Sequence, residues 1–201
     1  MAGKWIIAAV LGLTLTAPLS AQPGAPIPLA EDGPLPAVTT QHDLGLPGGT
    51  IRYRATWFEH VLHDAAGQPQ ATISATAYVR ELPRGADPRR QVLFLFNGGP
   101  GASSSPLHMN GIGPKLLGPR DAAGNRALLT NPDTLLDVAD LVFIDPVGTG
   151  FSRPLRTDGG KPYWSGPGDA AAVLALVRGW LAREGRGGSP LTFVGESYGG
   201  Y

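Results

Sequence analysis

The chain contains no cysteine, so neither disulfides nor thiolate-bound metal can hold it together and its apolar core must do so. It also lacks net charge: 16 basic residues balance 16 acidic ones, with no basic stripe, which argues against a sequence-independent grip on nucleic acid. Long hydrophobic runs are absent after the amino end. The one early run, Trp5 to about Leu15 behind Lys4, reads as a secretory signal with a cut after Ala21. A retained membrane anchor would need roughly 20 apolar residues, and Pro18 ends this run too soon. The expectation is an exported protein, periplasmic or secreted, with residues 1–21 as signal and no integral membrane segment after its removal.

What is present suits a folded domain or the first part of a larger one. The hydrophobic share is 42%, and the 29 glycines and 20 prolines cluster between apolar runs, as turns and active-site loops would. Residues 22–37 carry five prolines and form an extended lead-in, and the folded unit, residues 38–201, begins near Val38. Ile51–His63 and Ala71–Arg80 are β-rich runs separated by the turn-forming Asp64-Ala65-Ala66-Gly67-Gln68-Pro69, the pattern of an antiparallel hairpin.

Three further runs, Gln91–Phe96, Leu141–Ile144 and Leu191–Val194, are apolar on both faces, as buried parallel strands are, and each enters a glycine-rich loop. Between the second and third, Gly168–Glu184 has helix formers, an apolar face through Val173, Leu174, Val177 and Leu181, Asp169 as its cap and Gly185 as its stop. Ser103–Leu136, broken by glycines and prolines, offers no clear pattern. No internal repeat is seen.

The third run delivers Gly195-Glu196-Ser197-Tyr198-Gly199-Gly200, a Gly-x-Ser-x-Gly elbow in which a strand turns sharply into a helix and exposes the serine hydroxyl. Serine-based acyl transfer needs a rigid nucleophile, a base and donors aimed at the developing oxyanion. Ser197 is the nucleophile candidate, and the N–H of Tyr198 is one donor by the geometry of the elbow. The second donor normally comes from a loop after an earlier strand, the place that Gly98-Gly99 occupies. Such an elbow takes its acid and its histidine from later residues. The expectation is therefore an N-terminal portion of an α/β-hydrolase, with a mostly parallel central sheet, helices on both faces and an N-terminal antiparallel hairpin, truncated before its triad is complete and inactive by itself.

Four motifs, Asn97-Gly98-Gly99-Pro100-Gly101-Ala102-Ser103-Ser104, Gly113-Pro114, Asp145-Pro146-Val147-Gly148-Thr149-Gly150-Phe151-Ser152 and the elbow itself, resemble those of the serine carboxypeptidases of the α/β-hydrolase fold. The resemblance implies that Ser197 attacks the peptide bond, that the N–H groups of Gly99 and Tyr198 form the oxyanion hole, and that Asn97 and Glu196 hold the carboxylate of the substrate's last residue. Substrates would be peptides with a free C-terminus. A glutamate can meet a carboxylate only if a proton is shared between them, which implies an acidic working range. Two departures stand out: Gly111, with Asn110 beside it, takes the place of a glutamate common two residues before the Gly-Pro, and Ala102 that of a cysteine.

Other residues carry blander readings. His60 and His63 fall on opposite faces of a strand and make a poor metal pair. His108 precedes the serine and suits a loop or pocket role. Asp145 suits a structural role in its own loop, and Trp57, Trp164 and Trp180 suit core or pocket walls. No cofactor or metal is expected. An esterase or lipase of the same fold, or a non-catalytic truncated product that binds peptides, are the competing readings.

Overall fold

A computed structural model describes residues 33–200 apart from Pro88. The expected signal and residues 22–32 of the lead-in lie outside the described residues. Strands β1 (Val38–Leu46), β2 (Gly49–His63) and β3 (Pro69–Arg80) follow one another antiparallel. The last two are the expected hairpin. Its turn is fastened by Asp64, whose Oδ1 accepts the N–H groups of Ala66 and Gln68, each at 2.9 Å. The lead-in is tied to the same sheet: Glu59 accepts the N–H of Leu35 at 2.6 Å and pairs with Arg153.

The chain continues through β4 (Val92–Phe96), a single helical turn α1 (Ser105–Leu107) running into a π-helical turn (His108–Ile112), and a small hairpin of β5 (Lys115–Arg120) and β6 (Arg126–Thr130). Then come β7 (Asp140–Asp145), the short β8 (Arg153–Pro154), the long helix α2 (Gly166–Arg183) and β9 (Leu191–Gly195). The main sheet has the order β1-β2-β3-β7-β4-β9, with β8 beside β3. Strands β7, β4 and β9 are parallel, while β1, β2, β3 and β7 pair antiparallel. The sheet is therefore mixed rather than mostly parallel, because β3 docks the hairpin directly on β7.

The two-residue period of β4 divides the core. Val92 and Phe94 face α2 together with Phe58, Ile73, Leu176 and Trp180, whereas Leu93 and Leu95 face Tyr53, Leu136 and Phe143 on the other side. Trp180, 1% exposed, meets Phe94 edge-on at 5.7 Å. Only α2 is a long helix among the described residues; the opposite face is covered by Leu107, Ile112, Leu135 and Leu136 from short turns.

Three expectations need correction. Ser165 rather than Asp169 caps α2: its hydroxyl accepts the Gly168 N–H at 3.3 Å, with Pro167 in the first turn. Asp169 lies one turn inside. Leu174 is exposed, and the buried stripe runs instead through Ala172, Val173, Leu176, Val177 and Trp180. Finally, β9 is not buried on both faces. It pairs with β4 at the sheet edge among the described residues, leaving Leu191 and Phe193 41% and 47% exposed.

The amino ends of the three parallel strands are locked by charge. Asp140, at the start of β7, accepts Arg186 at 2.5 Å, Arg90 at 3.2 Å and the backbone N–H of Arg80 at 3.0 Å. Arg186 also donates to Ser189 Oγ and to the Arg90 carbonyl. Every carboxylate oxygen of this buried aspartate has a donor, as desolvated charge requires.

Candidate active site

The opposite, carboxyl ends of β4, β7 and β9 carry the chemistry-bearing residues, the place where open α/β sheets hold their sites. At the elbow the backbone of Ser197 has φ of 56°, a left-handed value that is rare outside glycine. Its neighbours must be small. A Cβ on Gly195 would lie 1.9 Å from the Gly199 carbonyl oxygen, and one on Gly199 would lie 2.8 Å from that of Phe96. Backbone bonds from Glu196 N to Phe96 O at 3.2 Å and from Gly199 N to Glu196 O at 3.0 Å close the turn.

The loop after β4 presses directly on this turn. A Cβ on Gly98 would stand 2.2 Å from Tyr198 N and 2.4 Å from Glu196 O, whereas Gly99 has open space and φ of +64°. The structure thus brings Gly98 against the backbone of Glu196, Tyr198 and Gly199, although the sequence separates them by about a hundred residues. Glycine at 98 permits the approach; glycine at 99 permits the conformation.

Asn97 and Glu196 also meet. Asn97, 7% exposed, donates through Nδ2 to Glu196 Oε2 at 2.7 Å. Its Oδ1 accepts the N–H of Leu107 at 2.9 Å, a contact that sequence reasoning misses because a backbone donor has no residue signature. The two bonds use the amide in one orientation, acceptor toward α1 and donor toward the elbow.

The loop after β7 is held from within. Asp145 accepts the N–H of Ser104 at 2.8 Å, and a Cβ on Gly150 would fall 1.9 Å from its Oδ2. Burial pushes the Asp145 carboxyl up, partly offset by backbone donors from Ser104 and Phe151. Ser104 also donates to the Ile144 carbonyl, and Ser152 to the Asp145 carbonyl at 2.6 Å. Asp145 is thus a structural pin joining two glycine loops. Both serines stand inside the recognised motifs, where their position marks them as anchors.

His108 lies against the sheet: its ring stacks on Phe143 at 4.3 Å, and Nε2 lies 2.6 Å from the Tyr78 hydroxyl. Burial lowers its pKa to about 4 and pushes the Tyr78 phenol well up, with Tyr53 adding to the latter. Gly111 offers its carbonyl to Asn131 at 2.9 Å. His60 packs over Gly179 of α2, while His63 is exposed beyond the bulge that ends β2. Of the tryptophans, Trp180 is core, Trp57 meets Phe151 edge-on, and Trp164 is 60% exposed with its Nε1 donating to the Val147 carbonyl.

Two hollows flank the elbow. One, of about 480 Å³, is lined by Phe96, Asn97, Val173, Leu174, Phe193 and Tyr198. The other, of about 340 Å³, lies among Pro100, Gly101, Thr149, Trp164, Ser165 and Tyr198. Asp169 lines both; burial raises its carboxyl pKa, and its Oδ1 has no hydrogen-bond partner among the described residues.

The family model described as serine carboxypeptidase matches residues 81–201, the stretch that contains all three of these loops. The chain belongs to the serine carboxypeptidase family. Within that family's reach, it is 38% identical over 65 residues to the pheromone-processing carboxypeptidase KEX1 of Komagataella phaffii and equally to that of Komagataella pastoris. Each match covers 32% of this chain and 10% of the relative, so the chain spans about a tenth of the curated relatives it matches. Among solved structures it is similar to the G231F mutant of the rice cell wall degrading esterase LipA from Xanthomonas oryzae. There the identity is 15% and the TM-score 0.44, with 85% of this chain and 43% of that one covered. No helix among the described residues is long and apolar enough to cross a membrane.

Proposed function

We propose that the whole protein is an exported serine-type carboxypeptidase that releases C-terminal residues from peptides through an acyl-enzyme on Ser197. The observation that carries this reading is the Asn97–Glu196 contact of 2.7 Å, placed on the residue next to the nucleophile. An esterase would need the strained serine and the glycine loop but no polar pair waiting beside them for a carboxylate.

In this mechanism Asn97 and Glu196 bind the terminal carboxylate, with a proton shared between Glu196 and the substrate so that two anions do not face each other. Ser197 then attacks the last peptide carbonyl. Its proton passes to a histidine that, in this fold, follows the serine in chain order. The N–H groups of Gly99 and Tyr198 stabilise the oxyanion, each worth about a hundredfold or more in rate. The leaving amino acid departs and water releases the acyl group.

The test compares, in the full-length protein, a blocked dipeptide with the same peptide capped as its C-terminal amide. A carboxypeptidase hydrolyses the free acid far faster, and Asn97→Ala narrows that gap. Equal rates on acid and amide would refute the reading and favour the esterase.

A further inference from the structure

The amide of Asn97 can serve a carboxylate only if its nitrogen, not its oxygen, faces the substrate, and nothing in an isolated asparagine decides this. Two bonds decide it: the N–H of Leu107 occupies Oδ1 at 2.9 Å, and Nδ2 donates to Glu196 at 2.7 Å. A Glu196 that shares a proton with the substrate can meet either end of the amide, which leaves the Leu107 N–H to hold the orientation. Leu107 sits in α1, a helical turn too short to hold its own shape. Its position is imposed from both sides. At the start, Ser104 is fixed to β7 through the Asp145 carboxylate and the Ile144 carbonyl. At the end, His108 is stacked on Phe143 of the same strand and bonded to Tyr78 of β3 at 2.6 Å. The His108 N–H closes the turn on Ser104 O at 2.8 Å.

We propose that Tyr78 and His108 form a positioning pair that holds α1 in place and thereby fixes which face of the Asn97 carboxamide meets the substrate carboxylate. Neither residue touches substrate; they act through Leu107 and Asn97. Apart from the Leu107–Asn97 bond that it is proposed to support, the pair is the side-chain hydrogen bond that ties the carboxyl end of α1 to the sheet among the described residues. If it is released, the Leu107 N–H drifts, Asn97 is free to flip, and its oxygen can face the substrate carboxylate, where it repels. This inference rests on the carboxypeptidase reading of Asn97 and deepens it by adding residues from β3 and the π-helical turn to substrate recognition.

The experiment uses the full-length protein with a blocked dipeptide and its C-terminal amide, on Tyr78→Phe, His108→Leu, His108→Gln and Asn97→Ala. Tyr78→Phe and His108→Leu are expected to raise KM for the free acid roughly three- to tenfold, the range for one lost neutral hydrogen bond. The kcat stays within about twofold, and the constants for the amide do not move, because an amide terminus makes no demand on the carboxamide orientation. His108→Gln keeps a polar atom for the Tyr78 hydroxyl and stays close to the parent enzyme. The proposal is overturned if acid and amide lose activity in parallel, or if Asn97→Ala raises the acid KM while the other variants leave it unchanged. If Asn97→Ala itself leaves the acid-to-amide ratio intact, the carboxylate reading fails first and this inference with it. Should Tyr78→Phe not fold, His108→Leu compared with His108→Gln decides the same question.

Discussion

Replacing Gly98 by alanine puts a methyl carbon 2.2 Å from Tyr198 N, 2.4 Å from Glu196 O and 2.6 Å from Gly199 N. All three are backbone atoms of the elbow, so no side chain can rotate out of the way. A Cβ contact needs at least 3.0 Å, and the loop must therefore retreat by 3.0 − 2.2 = 0.8 Å or more. Displacements near 1 Å at a reacting centre cost about a hundredfold in rate, comparable to losing one oxyanion donor. Overpacking of this kind also removes about 1–3 kcal/mol of stability. Gly99 fails for a different reason. It has free space but φ of +64°, so Gly99→Ala costs about 1–2 kcal/mol of conformational strain. Asparagine tolerates that conformation, and Gly99→Asn should recover most of the loss, while Gly98→Asn should recover nothing. Steady-state kcat of the full-length protein and urea unfolding of the same samples measure the two effects. A Gly98→Ala enzyme that keeps kcat within threefold, or asparagine accepted at both positions alike, would refute this account of the two glycines.

Three further outcomes are expected. Ser197→Gly relieves the positive φ of 56° and should abolish labelling by a fluorophosphonate while raising unfolding stability by about 1 kcal/mol. His108 is held neutral by burial, with its pKa lowered from 6.5 to about 4, so the unfolded chain binds more protons between those values. Stability from this group is complete above about pH 6.5 and declines toward pH 4, by on the order of 3 kcal/mol; urea unfolding of His108→Gln should show a shallower slope across that window. Asp140→Ala leaves Arg90 and Arg186, 12% and 10% exposed, without their counter-charge and should lose about 3–5 kcal/mol in chemical unfolding.

The hairpin and the parallel strands are legible in the sequence because their apolar periods are long and their turns are chemically marked. Strand β1 is not, since Val38–Leu46 buries only Leu44 and its polar residues carry no alternation. The β5–β6 hairpin escapes a reading by apolar pattern although another signal is present. Asp121-Ala122-Ala123-Gly124-Asn125 repeats the Asp64-Ala65-Ala66-Gly67-Gln68 turn, down to the carboxylate Oδ1 accepting two N–H groups and a glycine at positive φ. Comparing the two turns finds it. Proximity to the helix formers favours Asp169 as the cap of α2, while Ser165 followed by Pro167 is the better cue. At the site, the elbow pattern points to Ser197 and the family resemblance to Asn97 and Glu196, and the structure brings Asn97 and Glu196 into contact. What stays hidden are backbone groups and tethers, such as Leu107 N–H and the Tyr78 hydroxyl, whose importance depends on where the fold carries them.

The charge lock around Asp140 and the loops around Asp145 occupy the two ends of the same strand, five residues or about 16 Å apart. Substitutions that far apart and without shared partners add independently. The molecule therefore divides into a fixed end and a variable end. Loops at the carboxyl side can be exchanged, lengthened or randomised without loosening Arg90 and Arg186 from Asp140 at the other. A lineage or an engineer altering these loops would be drawing on a reserve of stability kept out of reach of the change.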